Sequence, residues 1–203
     1  AGILDQLAPQ ARLVVARIAD SDGTATAWTL VKGLSFAVAQ KCELANVSLG
    51  TLEGLPAIND LLEYCETKGL QVVAAMGNDG LKRACYPARS SKAIAVAGLL
   101  PDLVRAPFSN WESGCDAAAP ATGIGSQWWD GRTAVWSGTS FSTPIVTALL
   151  ADAARRSSSV VKPATYRSRL KNSGTAPDRQ NPEEKGKLGV VPDHSRLVRA
   201  FGG

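Results

Sequence analysis

The sequence predicts an α/β fold, a mostly parallel sheet with helices on its faces, and three observations predict it. Short β-branched or apolar runs alternate with amphipathic helical stretches from the start of the chain. Alternation of this kind suits parallel strands, whose neighbours need a crossover connection. With 203 residues, 45% of them hydrophobic and 20% charged, the chain is long and apolar enough to bury one substantial core.

Taken in order, ARLVVARIA (11–19) is short and β-branched and predicts a strand, followed through the turn-rich DSDGT by a helix over 26–40, where Trp28, Val31, Leu34 and Val38 recur at helical spacing. LANVSL (44–49) predicts the next strand. Beyond Pro56, residues Ile58, Leu61, Leu62 and Cys65 fall at i, i+3, i+4 and i+7, so a helix follows, with Gly69 as its stop. Strands are expected at LQVVAAM (70–76) and KAIAVAGL (92–99), and a short extended piece at DAAAPA (116–121). The region 100–137 is loop-rich, with Trp111, Trp128, Trp129 and Trp136 between glycines. A long helix is predicted over 140–156, with Pro144 tolerable in or near its first turn. Helices at about 163–172 and 193–201 complete the chain, with polar loop between them.

Sites in parallel sheets form at the carboxyl ends of strands, so the loops after residues 49 and 76 are where chemistry is expected. Three segments stand out. Ser137-Gly138-Thr139-Ser140-Phe141-Ser142-Thr143-Pro144 delivers a serine to a helix start, where its unpaired N–H and the helix dipole can stabilise an oxyanion forming beside the hydroxyl. Read alone, Ser140 could equally be an N-cap. Ala74-Ala75-Met76-Gly77-Asn78-Asp79-Gly80 places an amide donor at a strand end; by itself it is an ordinary strand-ending turn. Asn46-Val47-Ser48-Leu49-Gly50 ends a strand on a glycine that another backbone can approach, or is a plain strand exit.

In this order and spacing, NVSLG, AAMGN and SGTSFSTP resemble the subtilisin-like serine proteases, and CYPARSSKAIAVAGL, FSNWESGCDAAAPA and GKLGVV extend the resemblance over nearly the whole chain. The resemblance implies a three-layer α/β fold lacking its N-terminal part, so that residues 1–203 form a partial peptidase domain. It implies Ser140 as nucleophile and Asn78 as oxyanion donor. Ser48, Leu49 and Gly50 with Ala75, Met76 and Gly77 would wall the pocket for the residue before the scissile bond, Gly23 and Thr24 would lie on the edge that pairs with substrate, and Thr139 would join the substrate-binding set. The polypeptide substrate is the implied partner, together with an N-terminal segment of the same domain. A secreted or periplasmic setting and calcium are family traits, although the acidic residues here form no recognisable ligand loop.

Two departures bear on this reading. Ile145-Val146-Thr147-Ala148 follows Pro144 where the family usually continues His-Val-Ala-Gly, a change expected to touch packing more than chemistry. The related sedolisins share SGTSxSTP but use an aspartate in the oxyanion hole, and Gly77-Asn78 favours subtilisin. The larger departure is the catalytic aspartate and histidine, which in the family precede the point where this chain begins. His194, the one histidine, lies in PDHSRLVRA near the end of the chain and reads as a surface residue. A serine without imidazole is a weak nucleophile, so the chain by itself is expected to be inactive, and its alanine start fits a boundary just after the family's missing helix.

Other classes find less support. Residues 151–203 carry 11 Lys/Arg against 5 Asp/Glu, but spread over helical segments without interleaved aromatics, which reads as solvated surface rather than a nucleic-acid interface. No apolar run reaches the roughly 18 residues of a membrane span, and AGILDQLAPQAR lacks the features of a signal peptide. Cys42, Cys65, Cys85 and Cys115 offer no C-x-x-C pair; they are either buried thiols or extracellular disulfides. Gly138-Thr139-Ser140-Phe141-Ser142 lacks the second glycine of a nucleophile elbow, and Gly123-Ile124-Gly125-Ser126-Gln127-Trp128 lacks the third of a dinucleotide fingerprint. The rival from another class is a pseudoprotease that binds extended peptides by strand addition; it would need neither Ser140 nor Asn78.

Overall fold

A computed structural model describes residues 1–54, 56–128 and 130–202. Its centre is a four-stranded parallel sheet, β1 (Leu44–Val47), β2 (Gln71–Ala75), β3 (Ala93–Leu99) and β4 (Ala117–Pro120), in that spatial order. Both faces of β2 and β3 are buried, which is why these runs are continuously apolar instead of alternating. Successive side chains still part to opposite faces. Val72, Ala74, Ala93, Ala95 and Ala97 pack under α2 (Ala27–Ala39) and α3 (Pro56–Thr67). Val73, Ile94, Val96, Ala117 and Ala119 pack under α4 (Thr139–Arg155), α5 (Pro163–Ser173) and α6 (His194–Ala200). The result is three layers, helices on both faces of one sheet.

Local sequence explains the helix limits. Thr26 and Thr29 form a reciprocal capping box at the start of α2. The spacing of Ile58, Leu61, Leu62 and Cys65 buries one stripe of α3, and Gly69, at φ +87°, turns the chain into β2. Leu62, Leu150, Leu170 and Leu197 are at most 1% exposed, each contributing about 1.5–3 kcal/mol by burial.

Four features differ from the sequence pattern. Residues 11–19 form no strand: Val15 is 73% exposed, and the segment faces β1 across a cavity of about 550 Å³ lined by Arg12–Ala16, Ile18 and Leu44–Val47. Its β-branched composition is right for a strand, but among the described residues no backbone completes a ladder with it. A short helix, α1 (Gly2–Leu7), packs on α4 and was not visible as a pattern. The loop-rich region holds an antiparallel hairpin, β5 (Ile124–Gln127) and β6 (Thr133–Trp136), on which Trp128 and Trp136 stack at 5.5 Å. Within the polar connection, β7 (Gly174–Thr175) pairs with β8 (Val191–Pro192). Trp129 lies outside the described residues.

The basic C-terminal region is partly consumed inside the fold. Asp116, whose side chain is 3% exposed, is bound by Arg167 at 3.1 Å and Lys171 at 2.9 Å and accepts the Ala95 N–H at 3.0 Å. A buried carboxylate needs such partners, and these two tie α5 to the sheet.

Candidate active site

The carboxyl ends of β1 and β2 and the first turn of α4 meet at one corner of the sheet. Gly138 precedes α4 at φ +152°, and a Cβ there would lie 3.4 Å from Asn78 Nδ2. The positive φ favours glycine at this turn, while the contact with Asn78 is ordinary packing. Ser142 Oγ donates to Ala119 O at 3.0 Å and pins the helix start to β4. Ser140 is the second residue of α4, where the helix offers its N–H no acceptor.

Asn78 leaves the end of β2 and reaches the same turn. Thr139 donates to Asn78 Oδ1 twice, from its N–H at 2.8 Å and from its hydroxyl at 2.9 Å. A backbone N–H can only donate, so the amide oxygen faces Thr139 and the NH₂ remains as a donor. Thr139 itself is fully buried, so its polar groups act by orienting Asn78. The Asn78 NH₂ and the Ser140 N–H are the donors available to an oxyanion beside Oγ.

The carbonyl of Ser140 is held by an arrangement that no local pattern discloses. Pro144 is the sixth residue of α4, in its second turn, and having no N–H it leaves the carbonyl four residues earlier, that of Ser140, without its helical partner. Ser48 Oγ donates to that carbonyl at 2.9 Å. Asn46 Nδ2 donates to Ser48 Oγ at 3.0 Å, and Thr147 Oγ1 donates to Asn46 Oδ1 at 3.1 Å. The bonds from Asn46 and Ser48 run in one direction, the arrangement in which each polarises the next, while the single Thr147 hydroxyl proton is shared between Asn46 Oδ1 and Thr143 O, the latter at 2.9 Å. Thr147 thus connects through Asn46 and Ser48 to the Ser140 turn, where the sequence suggested a change touching packing more than chemistry. Ser140 Oγ in turn donates to Ser48 O at 3.1 Å.

Of the other expected pocket residues, Ala75 and Met76 are buried, Leu49 and Gly77 half-buried and Gly50 exposed. Gly23 and Thr24 sit in an exposed turn closed by Asp20, whose carboxylate accepts the Thr24 N–H at 2.8 Å. Among the described residues, no hydrogen bond joins that turn to Ser140 or to the pocket walls. All four cysteines are unpaired. Burial pushes the Cys65 thiol up to about 11 and Cys115 to about 12, so both are protonated near neutrality and inert. Among the described residues, no group of three His, Cys, Asp or Glu converges to hold a metal, and no calcium ligand is assigned. None of the described helices is long and apolar enough to cross a membrane.

His194 is exposed and meets Asp152 at 3.0 Å. Asp152 is twelve residues beyond Ser140 on α4, which at 1.5 Å per residue puts this pair about 18 Å from Ser140. As the sequence position suggested, it is not placed to act on Ser140.

The family model of the subtilases, peptidase family S8, matches residues 2–191. The chain belongs to the subtilase family. Among curated subtilases it is similar to thermitase of Thermoactinomyces vulgaris, 36% identical over 171 residues that make up 83% of this chain and 61% of thermitase. It is similar also to subtilisin BL of Lederbergia lenta, 31% identical over 170 residues, 84% of this chain and 63% of that one. The chain thus spans less than two thirds of the length of these relatives. A solved cold adapted subtilisin-like serine proteinase shares 25% identity and a TM-score of 0.77, over 87% of this subtilase chain and 66% of the other. This membership and the structural likeness show the subtilase α/β fold.

Proposed function

We propose that residues 1–203 are part of a subtilisin-like peptidase domain that hydrolyses peptide bonds through an acyl-enzyme on Ser140. The observation that carries the proposal is the orientation of Asn78: Thr139 holds its oxygen, which leaves its NH₂ as the donor for an oxyanion formed at Ser140. Ser140 Oγ attacks the substrate carbonyl carbon and its proton passes to a histidine. The Asn78 amide and the Ser140 N–H bind the resulting oxyanion. Collapse expels the amine, which takes that proton, and water then hydrolyses the ester by the same steps in reverse order of roles.

The histidine and its orienting aspartate belong to sequence outside residues 1–203, because His194 stands at the far part of α4. The bare edge of β1 and the unpaired segment 12–18 support this, since together they border a cavity that suits an additional strand. A pseudoprotease reading would leave the Asn78 amide without a use.

The test is labelling of the full-length protein with a fluorophosphonate, with the modified residue located by mass spectrometry. Modification of Ser140, together with peptide cleavage that disappears in Ser140→Ala, is the expected result. Residues 1–203 alone should show no peptidase activity. A full-length protein that binds peptides but is never labelled would establish the pseudoprotease instead.

A further inference from the structure

Beyond the last paired residues of β1 and β2, Val47 and Ala74, the two chains diverge. Ser48–Gly50 and Ala75–Gly77 then face each other as two walls, and both start at the nucleophile: Ser48 O accepts from Ser140 Oγ, and Asn78, next to Gly77, binds Thr139. The far end of this slot is closed by a crossing piece of chain. Cys85 N–H donates to Met76 O at 2.8 Å, and Tyr86 exchanges both backbone bonds with Thr51, at 2.8 and 3.0 Å. Residues 85 and 86 thereby span from one wall to the other.

The Cys85 side chain lies between those walls. A Cβ on Gly50 would be 2.8 Å from Cys85 Cβ, and one on Gly77 would be 2.6 Å from Cys85 Sγ. Neither wall has room there for so much as a methyl group. The thiol is also boxed in from behind, with Sγ 3.7 Å from Asn110 Nδ2 and 3.9 Å from Asp79 Oδ2. Asn110 cannot yield easily, because its amide is fixed by Met76 O and by the N–H groups of Asp79 and Leu81. Cys85 is 5% exposed, a side chain packed into a wall rather than one free to swing aside.

We propose that Cys85 is the specificity-determining residue of this pocket and limits the substrate residue before the scissile bond to side chains the size of alanine or serine. This rests on the protease reading above. A longer side chain entering the slot meets the thiol, and displacing it would disturb a tightly packed group that the two glycines leave no space to receive. Removing the side chain at position 85 opens the slot by the volume of a CH₂–SH group.

The experiment uses the full-length protein and peptide amides that differ only in that residue, with Ala, Leu, Phe or Lys. The expected kcat/KM for Ala exceeds each of the others by about ten-fold or more. Cys85→Gly lowers the Ala-to-Phe ratio by about ten-fold or more, and Cys85→Ala lowers it by less. Should Cys85→Gly fail to fold, Cys85→Ala supplies the same readout. A wild type that prefers Leu or Phe overturns the proposal. So does a preference for Lys, which would make the Asp79 carboxylate the determinant, and so does a ratio that neither variant moves. Fluorophosphonate labelling separates the two levels: labelled Ser140 with a large-residue preference sinks the pocket assignment alone, whereas an unlabelled Ser140 sinks the protease reading and takes this proposal with it.

Discussion

Strand β1 has two edges that live in different worlds. On one side it is paired with β2 along all four residues, and its continuation, Ser48, is bonded both ways to Ser140. On the other side it faces a cavity of about 550 Å³ across which the apolar segment 12–18 runs without a partner. The polar chain Thr147–Asn46–Ser48–Ser140 lies on the finished side. This difference separates two tasks that a serine protease must perform. Under the proposed function, Ser48, Asn78 and the first turn of α4 would serve the first task, holding the nucleophile's turn and receiving the oxyanion, from within residues 1–203, and the histidine that would move the proton would come from outside them.

The predictions probe that contrast, beginning with the finished side. In the full-length protein, Ser140→Ala should lower kcat by about six orders of magnitude while peptide affinity changes little, as measured by steady-state hydrolysis and peptide titration. Asn78→Leu keeps similar bulk and removes the donor, so kcat should fall by about two to three orders of magnitude at nearly constant KM. Weaker peptide binding with turnover intact would reduce Asn78 to a strand-ending turn. Ser48→Ala leaves the Ser140 carbonyl unpaired at a helix turn that Pro144 has already deprived of one bond. A cost of about 1–2 kcal/mol and a roughly ten-fold lower kcat are expected, with Ser48→Thr restoring most of both.

On the bare side, proline at both Val14 and Val15 removes a donor from each edge of the unpaired segment. If a further strand docks there, the full-length protein should lose about 3 kcal/mol and about 6–12 °C in Tm, whereas the chain 1–203 should barely respond. Equal losses in both proteins would mean that the segment is already structural as it stands, and the cavity would lose its meaning as a strand site.

The same contrast governs what could be read from sequence. Strands 71–75 and 93–99 were legible as short apolar runs, α2 and α3 from helical spacing, and α5 from Pro163 and Gly174 at its bounds, signals that each lie within one segment. Ser140 and Asn78 drew attention as a serine at a helix start and an asparagine after a strand, but locally each also reads as a cap or a turn, and only the family resemblance gave them roles. Segment 11–19 misled for a physical reason: composition reports fitness for a strand, not the presence of a neighbour. The hairpin β5–β6 was hidden because its exposed residues, such as Val135 and Trp136, carry no alternation of burial to betray it. Least visible was the bond from Ser48 to the Ser140 carbonyl, which joins residues 92 positions apart. Pro144 was the available clue. A proline in the second turn always frees a carbonyl, but only the fold says which hydroxyl meets it.

The smallest effect is expected at the other end of α4, and it tests whether that end is independent of the site. Burial alone would raise the Asp152 carboxyl, but hydrogen bonds from Arg156, His194 and Arg155 outweigh it and hold the group below its ordinary value. A carboxylate lowered in the folded state adds stability above its unfolded pKa, and that stability is lost as pH falls through the folded pKa. The contribution of Asp152 should therefore be lost in acid, as pH falls through its lowered folded pKa, and Asp152→Asn should remove that contribution from the Tm profile. Its three partners are about half exposed, so solvent screening keeps the loss at neutral pH below about 1 kcal/mol. His194→Ala should produce a similar small drop in Tm and leave kcat of the full-length protein within about two-fold of wild type, because the imidazole stands about 18 Å along the helix from Ser140. A large fall in kcat with an unchanged Tm would reverse this assignment, making His194 the base and placing the proton-transfer half of the site within the chain after all.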